Sequence, residues 1–275
     1  MKIKLDFRKS ARENANAYFE KAKEARRKAQ GAKAALALTT AKIAEAESEN
    51  GGAAAKKGAE MRLQVKVKRE KEWHEKFHWF VTNAGHLVIA GRDAAQNDLI
   101  YAKYLDDADL FFHADIQGAP ATVLKIGKSE LEKAKTSLFE TNEVGLDEKK
   151  EVAQFAASYS SAWKVGTPSV HVYCVKKLQL TKHSHGGFIP KGGFGITGER
   201  EWFRGTRLGI KIGNESGNAI AVPLLSKTML ENACEIVPGV KQKGEVVKII
   251  AKRTGAHPDD INALLPSGKS TCRYI

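Results

Sequence analysis

The chain has 275 residues, with 45 Lys and Arg against 32 Asp and Glu, which gives a formal net charge of +13. Its hydrophobic fraction of 42% excludes general disorder and allows one or two domains with a buried core. No apolar run approaches the ~20 residues of a membrane-spanning helix, and MKIKLDFRKS lacks the apolar centre of a signal peptide, so we expect nucleic acid and no membrane as the partner of this basic chain.

The first quarter of the sequence predicts a basic helical arm. Residues 1–75 contain 19 Lys and Arg against 11 Asp and Glu, more than half of the excess charge of the chain. From Ala15 to Ala46, small and apolar residues recur in alternating steps of three and four, the spacing of a coiled-coil seam. Ser10 and Glu13 have capping-box spacing and predict that the helix begins near Ala11.

The arm is predicted to fold back on itself. Asn50-Gly51-Gly52 breaks the first helix, and a second helical stretch follows over about 53–76. We therefore expect an antiparallel coiled-coil hairpin over residues 1–75, with basic residues such as Arg26 and Arg27 placed to lie along phosphates.

Residues 76–275 predict a compact α+β domain whose sheet is mixed or antiparallel, with flanking helices and a C-terminal extension over approximately 207–275. Asp93 and Gln96 have the spacing of a helix N-terminus. Strands are predicted in HLVIAG, DADLFFHAD, APATVLKIG and the long run SVHVYCVKKLQLT, and a hairpin in RLGIKIG and AIAVPLL. Helices are predicted over 129–139, over the stretch from Val152 to Trp163, and near 226–234 and 244–254.

A glycine-rich stretch, HSHGGFIPKGGFGITG, contains the spacing G-x-G-x-x-G. A dinucleotide site would need an apolar strand directly before this motif and a helix directly after it, and neither is predicted here. The bare N–H groups of the glycines, with Lys182 and Lys191, could instead hold phosphates without reading bases; a surface turn without a ligand is the alternative.

Two histidine pairs leave an enzymatic interpretation open. His113 and Asp115 alternate along one predicted strand, as do His183 and His185, and together they could hold a metal in a nuclease. No spacing ties the pairs together, and no nucleophile motif occurs, so we expect no metal, no cofactor and no catalytic residue. The three cysteines lack metal spacing and fit a reducing cytosol.

Six separated blocks, in order, resemble the NFACT family. EKFHWFVTNAGHLVIAGRDAAQND, DADLFFHADIQGAP with VLK, SSAW, and LTK with GGFIPKGGFGITG are similar to its RNA-binding domain. LDFRKSARENANAYFEKAKEARRK and KREKEWHEKFHWF are similar to the start and end of its coiled-coil middle segment, and INALLPSGK to the C-terminal end of archaeal members.

The resemblance implies a cytoplasmic RNA-binding factor of ribosome-associated quality control. Family members bind large ribosomal subunits obstructed by peptidyl-tRNA and recruit tRNA for tailing of the stalled chain, and the ribosome itself makes the bonds. The family's N-terminal NFACT domain is missing from the sequence, so we expect a standalone or split form completed by a separate polypeptide, or a fragment. KHSHGGFI also departs from the family pattern at that loop.

The RNA contacts expected on the domain come from the matching blocks, and Arg92, just before a helix N-terminus, is the first choice among them. Alternative functions are a metal-dependent RNA-processing enzyme and a coiled-coil adaptor that binds only protein. The expected RNA-binding residues are Arg92, Asp93, Asn97, His113, Asp115, Lys125, Lys182, Lys191, Arg26 and Arg27.

Overall fold

The computed structural model describes residues 72–126, 144–182, 189 and 191–275, together with individual positions between 10 and 40. The chain divides into two compact units, Met1–Glu70 and Lys71–Ile275. In the first unit the described positions from Ala11 to Thr40 are helical, and the helix begins at Ala11 as predicted. The return helix of the expected hairpin and the short helix expected over 129–139 lie outside the described residues.

The second unit is α+β, as predicted, and its described sheets are all antiparallel. Its strands are β1 (His78–Val81), β2 (Leu87–Ala90), β3 (Leu110–Ala114), β4 (Thr122–Leu124), β5 (Ser169–Lys176), β6 (Leu180–Thr181), β7 (Gly195–Ile196), β8 (Glu201–Arg207), β9 (Ile210–Glu215), β10 (Asn218–Pro223), β11 (Glu231–Lys241) and β12 (Ser270–Tyr274). Its helices are α1 (Ala94–Lys103), α2 (Leu146–Ser158), α3 (Ser161–Val165), α4 (Lys243–Thr254) and α5 (Pro258–Leu264).

Three sheets are formed. The largest has six strands in the order β1-β2-β4-β3-β5-β8, a second has four in the order β10-β9-β11-β12, and β6 pairs with β7 alone. Short turns of 3-10 helix cover Trp73–Lys76 and Lys177–Gln179. The second of these turns ends β5 at Lys176, where a single long strand was expected, because the Gln179 side chain accepts a hydrogen bond from the Lys176 N–H (2.9 Å).

Helix α2 fills the space between the two larger sheets. Its last eight residues are all buried, and it contacts β3, β5 and β8 on one side and β10 on the other. Its polar side chains hold the crossover between the sheets: Gln154 accepts a hydrogen bond from the Leu225 N–H (2.7 Å), and Ser158 accepts one from the Gly209 N–H (2.9 Å). One face of the six-stranded sheet is thereby sealed.

The C-terminal region corrects one sequence prediction and confirms another. The hairpin of β9 and β10 forms with Ala219 opposite Asn214, as expected. No helix forms near 226–234; residues 231–241 are strand β11, which pairs with both β9 and β12. The helix-forming local sequence loses to tertiary pairing, because Cys234 and Ile236 alternate on the buried face opposite β9.

We predict that Phe155→Ala lowers the free energy of unfolding by about 3–5 kcal/mol, because it leaves a cavity in the interior. Phe155 is fully buried in α2, with its ring centroid 4.6 Å from that of Phe80 and 4.8 Å from that of Tyr159. Urea unfolding of the full chain, followed by tryptophan fluorescence, measures the loss. Lys150→Ala on the exposed side of the same helix is the control, and an equal effect of both changes would contradict the packing described.

Candidate nucleic-acid interface

Helix α1 begins at a capped turn that carries the first expected RNA contact. The Gln96 N–H donates to the Asp93 carboxylate (2.8 Å), and the Arg92 N–H donates to the Gln96 side-chain oxygen (3.0 Å). The exposed Arg92 donates one guanidinium N–H to the carbonyl of Phe77 (3.0 Å). Asp93 is thus occupied as a helix cap, while Arg92 is anchored at one side and open to solvent.

The glycine-rich segment docks on the first turns of α1. Gly192 has φ +79°, and a Cβ there would lie 2.8 Å from the Cα of Ala94, so the contact requires a glycine. The Lys182 ammonium donates to the Asp98 carboxylate (2.5 Å) and to the Gly193 carbonyl (2.6 Å). The Gly192 N–H donates to the same carboxylate (3.1 Å).

Lys182 therefore acts first inside the molecule. Its ammonium also lies 3.9 Å from the ring centroid of Phe194, and its side chain is 28% exposed. Lys191 is exposed beside this lysine and adds to the positive charge that lowers the pKa of Asp98. The structure thus gathers Arg92, Asp93, Lys182 and Lys191 around the start of α1, as one part of the interface.

The G-x-G-x-x-G spacing has no nucleotide context. Gly195–Ile196 form strand β7, which pairs only with Leu180–Thr181, and the next element is strand β8. A dinucleotide site places the glycines between a parallel strand and a helix N-terminus, and that arrangement is not present at these residues.

Two of the expected contacts serve the interior instead. Asn97 is buried and joins α1 to the β3–β4 loop: its side chain accepts from the Ala121 N–H (3.0 Å). The Lys125 ammonium pairs with Asp106 (2.6 Å) and with the fully buried Asp109 (2.5 Å), and only 10% of its side chain is exposed. Neither side chain joins the surface formed by Arg92 and Lys191.

A row of rings crosses the other half of the same sheet face. His113 on β3 is opposite Tyr173 on β5, and Tyr173 is opposite Trp202 on β8, because the three strands are in register. The ring centroids lie 5.8 Å and 5.5 Å apart. Burial lowers the pKa of His113 and raises that of Tyr173 to about 12, so both rings are uncharged near neutral pH.

Two arginines cover this row. The Arg200 guanidinium lies 4.8 Å from the Tyr173 ring centroid, and the Arg204 guanidinium lies 5.4 Å from that of Trp202. Trp202 is half-buried, Arg204 is exposed, and β8 is the last strand of its sheet. Asp115 is exposed one turn beyond β3 and close enough to His113 to favour its protonated form. We call His113, Tyr173, Arg200, Trp202 and Arg204 the arginine–aromatic row.

Sequence reasoning missed Arg200, Trp202 and Arg204. The signal was the alternation Arg-x-Trp-x-Arg in ERE-WFRG, which on a strand places all three side chains on one face. The segment was judged only as too short for the helix of a dinucleotide site. Its neighbours His113 and Tyr173 are distant in the sequence, so the row itself could not be seen without the pairing of β3, β5 and β8.

A buried histidine lies beside the start of α1. His78 stacks on Tyr159 with ring centroids 3.9 Å apart. Burial, and then the positive charges of Arg92 and Lys243, lower the pKa of His78 to about 3. Arg92 and Lys243 are thus close to one another as well as to this ring, and burial together with the charge of Arg92 lowers the pKa of Lys243.

Metal, membrane and arm residues were also considered. In the part of the chain that the structure describes, no group of three or more His, Cys, Asp or Glu side chains could hold a metal, and no helix has the length and apolarity to cross a membrane. His183 and His185 lie outside that part. Arg26 is at a helical, exposed position of the first unit, and Arg27 lies outside the described residues.

Comparison with known proteins gives consistent matches. Residues 76–198 match the NFACT protein RNA binding domain. The archaeal Rqc2 homolog aRqcH of Methanocaldococcus jannaschii is 40% identical over 217 residues, 76% of this chain and 30% of that protein. The ribosome quality control complex subunit NEMF homolog of Drosophila melanogaster is 36% identical over 137 residues, 49% of this chain and 12% of that protein.

A fungal relative extends the match. The ribosome quality control complex subunit 2 of Schizosaccharomyces pombe is 29% identical over 210 residues, 75% of this chain and 19% of that protein. The chain therefore spans less than a third of the length of each of these three relatives.

We predict that His78 makes the protein less stable as the pH falls below ~6.5. Between that pH and ~3 the unfolded imidazole binds a proton and the folded one does not, so unfolding is favoured by about 1.4 kcal/mol per pH unit. From pH 7.5 to 5.0 the wild type should lose about 2 kcal/mol more than His78→Phe, which keeps a ring against Tyr159. Urea unfolding at both pH values measures this, and an equal loss in both proteins would contradict it.

Proposed function

The chain belongs to the NFACT family, and from this premise we propose that it is an RNA-binding factor of ribosome-associated quality control. The names of the curated relatives describe them as ribosome quality control subunits or as a homolog of one. We extend that role to this chain, with the large ribosomal subunit and tRNA as its RNA partners and the cytoplasm as its location.

The arginine–aromatic row is the observation that carries the proposal. Single-stranded bases stack on aromatic side chains and on guanidinium planes, and every base offers a suitable face. Trp202 and the planes of Arg200 and Arg204 supply such surfaces at the open edge of the sheet, where β8 has no further strand partner among the described residues. The guanidinium edges remain able to contact phosphates.

Arg92 and Lys191 supply phosphate contacts at the other part of the same interface. The single anchor of Arg92 at Phe77 fixes the guanidinium while leaving further N–H groups for a ligand, and the first turn of α1 follows directly. The docked glycine segment holds Lys191 beside that turn. Contacts of this kind position RNA without reading its sequence.

We further propose that the basic arm is an antiparallel coiled-coil hairpin that lies along ribosomal RNA. Its support is the charge excess of residues 1–75 and the coiled-coil spacing from Ala15 to Ala46. Arg26 and Arg27 belong to this surface in the proposal. A separate polypeptide that supplies an N-terminal NFACT domain would complete the assembly.

In this proposal the chain binds and positions RNA, and bond formation belongs to the ribosome. The arginine–aromatic row contains no hydroxyl or thiol beside a base that could activate it, since Tyr173 is held protonated by burial. Divalent-metal-dependent cleavage of RNA that is lost in His113→Ala would overturn this assignment in favour of a processing enzyme.

We predict that Trp202→Ala weakens binding of a fluorescein-labelled oligouridine by roughly 5- to 150-fold, the effect of about 1–3 kcal/mol per stacked base. Fluorescence anisotropy with the full chain measures it. Trp202→Phe keeps a stacking ring and should remain close to wild type. Since Trp202 also packs against the sheet, circular dichroism must show that the alanine variant is folded, and unchanged affinity in a folded variant would exclude the row.

We predict that Arg26→Gln with Arg27→Gln weakens co-sedimentation with large ribosomal subunits, because two phosphate contacts are lost, and that the loss grows as salt is raised. The domain should remain folded because the changes lie in the first unit. Equal co-sedimentation of variant and wild type at moderate salt would remove these arginines from the interface. Binding of subunits that ignores salt altogether would favour a protein-binding adaptor.

A further inference from the structure

A cationic cleft lies outside the interface described above. Its volume is about 490 Å³, and it is formed where the end of α3, the start of α4 and the loop before β12 meet. Three lysines, Lys164, Lys243 and Lys269, line it, and none of the lining residues is acidic. The remaining lining residues are Trp163, Val165, Gly166, Gly239, Gln242 and Gly268.

The three lysines are not neutralised by the protein. Lys243 donates to the Leu265 carbonyl (2.9 Å), a contact that orients the ammonium without cancelling its charge. Lys164 and Lys269 are exposed, and neither makes a side-chain hydrogen bond or an ion pair with any described residue. Like charges so close together repel, and a bound anion would offset that repulsion.

The backbone around the cleft is fixed by close contacts. Gly268 has φ +140°, and a Cβ there would lie 3.0 Å from the Cα of Lys164, so only glycine lets this loop pass so near α3. Lys164 and Lys269 are thereby held on neighbouring segments. On the third side, α4 begins at Gln242, whose side chain makes no capping hydrogen bond, so no side chain covers the positive end of this helix.

The charge of the cleft continues toward Arg92. Lys243 lines the cleft and is also close enough to Arg92 for the two cations to disfavour each other's neighbourhood. Positive charge therefore extends from the start of α1 to the start of α4 along one side of the second unit. A polymer of phosphates fits such an extended arrangement better than an isolated ion does.

We propose that this cleft binds a phosphate of the RNA backbone, so that RNA held by Arg92 continues across Lys243 to Lys164 and Lys269. The inference rests on the proposed function and adds a binding site to it. It also gives residues beyond the matched RNA-binding domain a direct role, since Lys243 and Lys269 follow residue 198 and only Lys164 precedes it.

The test is Lys164→Gln with Lys269→Gln in the full chain, measured by anisotropy of a fluorescein-labelled oligouridine over a series of KCl concentrations. Each lost contact to a single strand should reduce the steepness of log K against log salt by about 0.7, so the double variant should be less steep by about 1.4. Lys248→Gln with Lys252→Gln, two exposed lysines farther along α4, removes the same charge and should leave the slope nearly unchanged.

The possible results separate the site from the function. An unchanged slope in the first double variant, with RNA still bound, overturns the cleft and leaves the proposed function standing; an equal change in both double variants also overturns it, because charge alone would then account for the effect. A wild type that binds no RNA at low salt removes both. Inorganic phosphate is added at constant ionic strength as a second arm, and displacement of the wild type to the affinity of the double variant would assign the cleft to the free ion.

Discussion

The six-stranded sheet has two apolar faces, and the need to cover both of them organises the second unit. One face is sealed by α2 and, behind that helix, by the four-stranded sheet, with Phe155, Trp163 and Ile210 all buried there. The other face is covered by α1 and by the glycine-rich segment over only part of its width. The edge formed by β5 and β8 therefore remains open, and it is there that Trp202 and its arginines lie. The incomplete cover is what leaves aromatic surface available for bases.

The same positive charges do two different kinds of work. Lys125 and Lys182 are basic residues of the matching sequence blocks, yet each is tied to a carboxylate, and Lys125 neutralises the buried Asp109. Removing that lysine would leave an uncompensated buried charge, so its importance to the fold is no sign of RNA binding. Lys164 and Lys269, by contrast, have no acidic partner among the described residues. Net charge counts all four lysines equally, and only the contacts separate the structural ones from those left for a ligand.

Local signals in the sequence predicted the elements whose structure is decided locally. The cap at Asp93, the hairpin of β9 and β10 and the buried helix through Phe155 were all foreseen, because spacing within a few residues fixes them. Strand β11 was taken for a helix because its pairing with β9 spans a distant part of the chain. The interface divided in the same way: Arg92 was predicted from its place before a helix, while the row of His113, Tyr173 and Trp202 depends on strand register. Asn97 and Lys125 were assigned to RNA because a matching block does not tell a buried polar side chain from an exposed one.

The chemistry of the interface explains what kind of RNA recognition it can support. Burial keeps His113 neutral, and raises the pKa of Tyr173 to about 12, while arginine stays charged at any physiological pH. The charge that faces RNA is therefore constant across that range, and ionic strength rather than pH controls the electrostatic part of binding. Rings and guanidinium planes accept any base, and lysines at the cleft and beside α1 accept any phosphate. Such a surface has no means of reading a sequence, so selectivity must come from the shape of the RNA that can reach the open sheet edge and the basic residues at the starts of α1 and α4 together. A folded particle with fixed spacings between its strands offers that shape, and a free single strand offers it only after it loses conformational freedom.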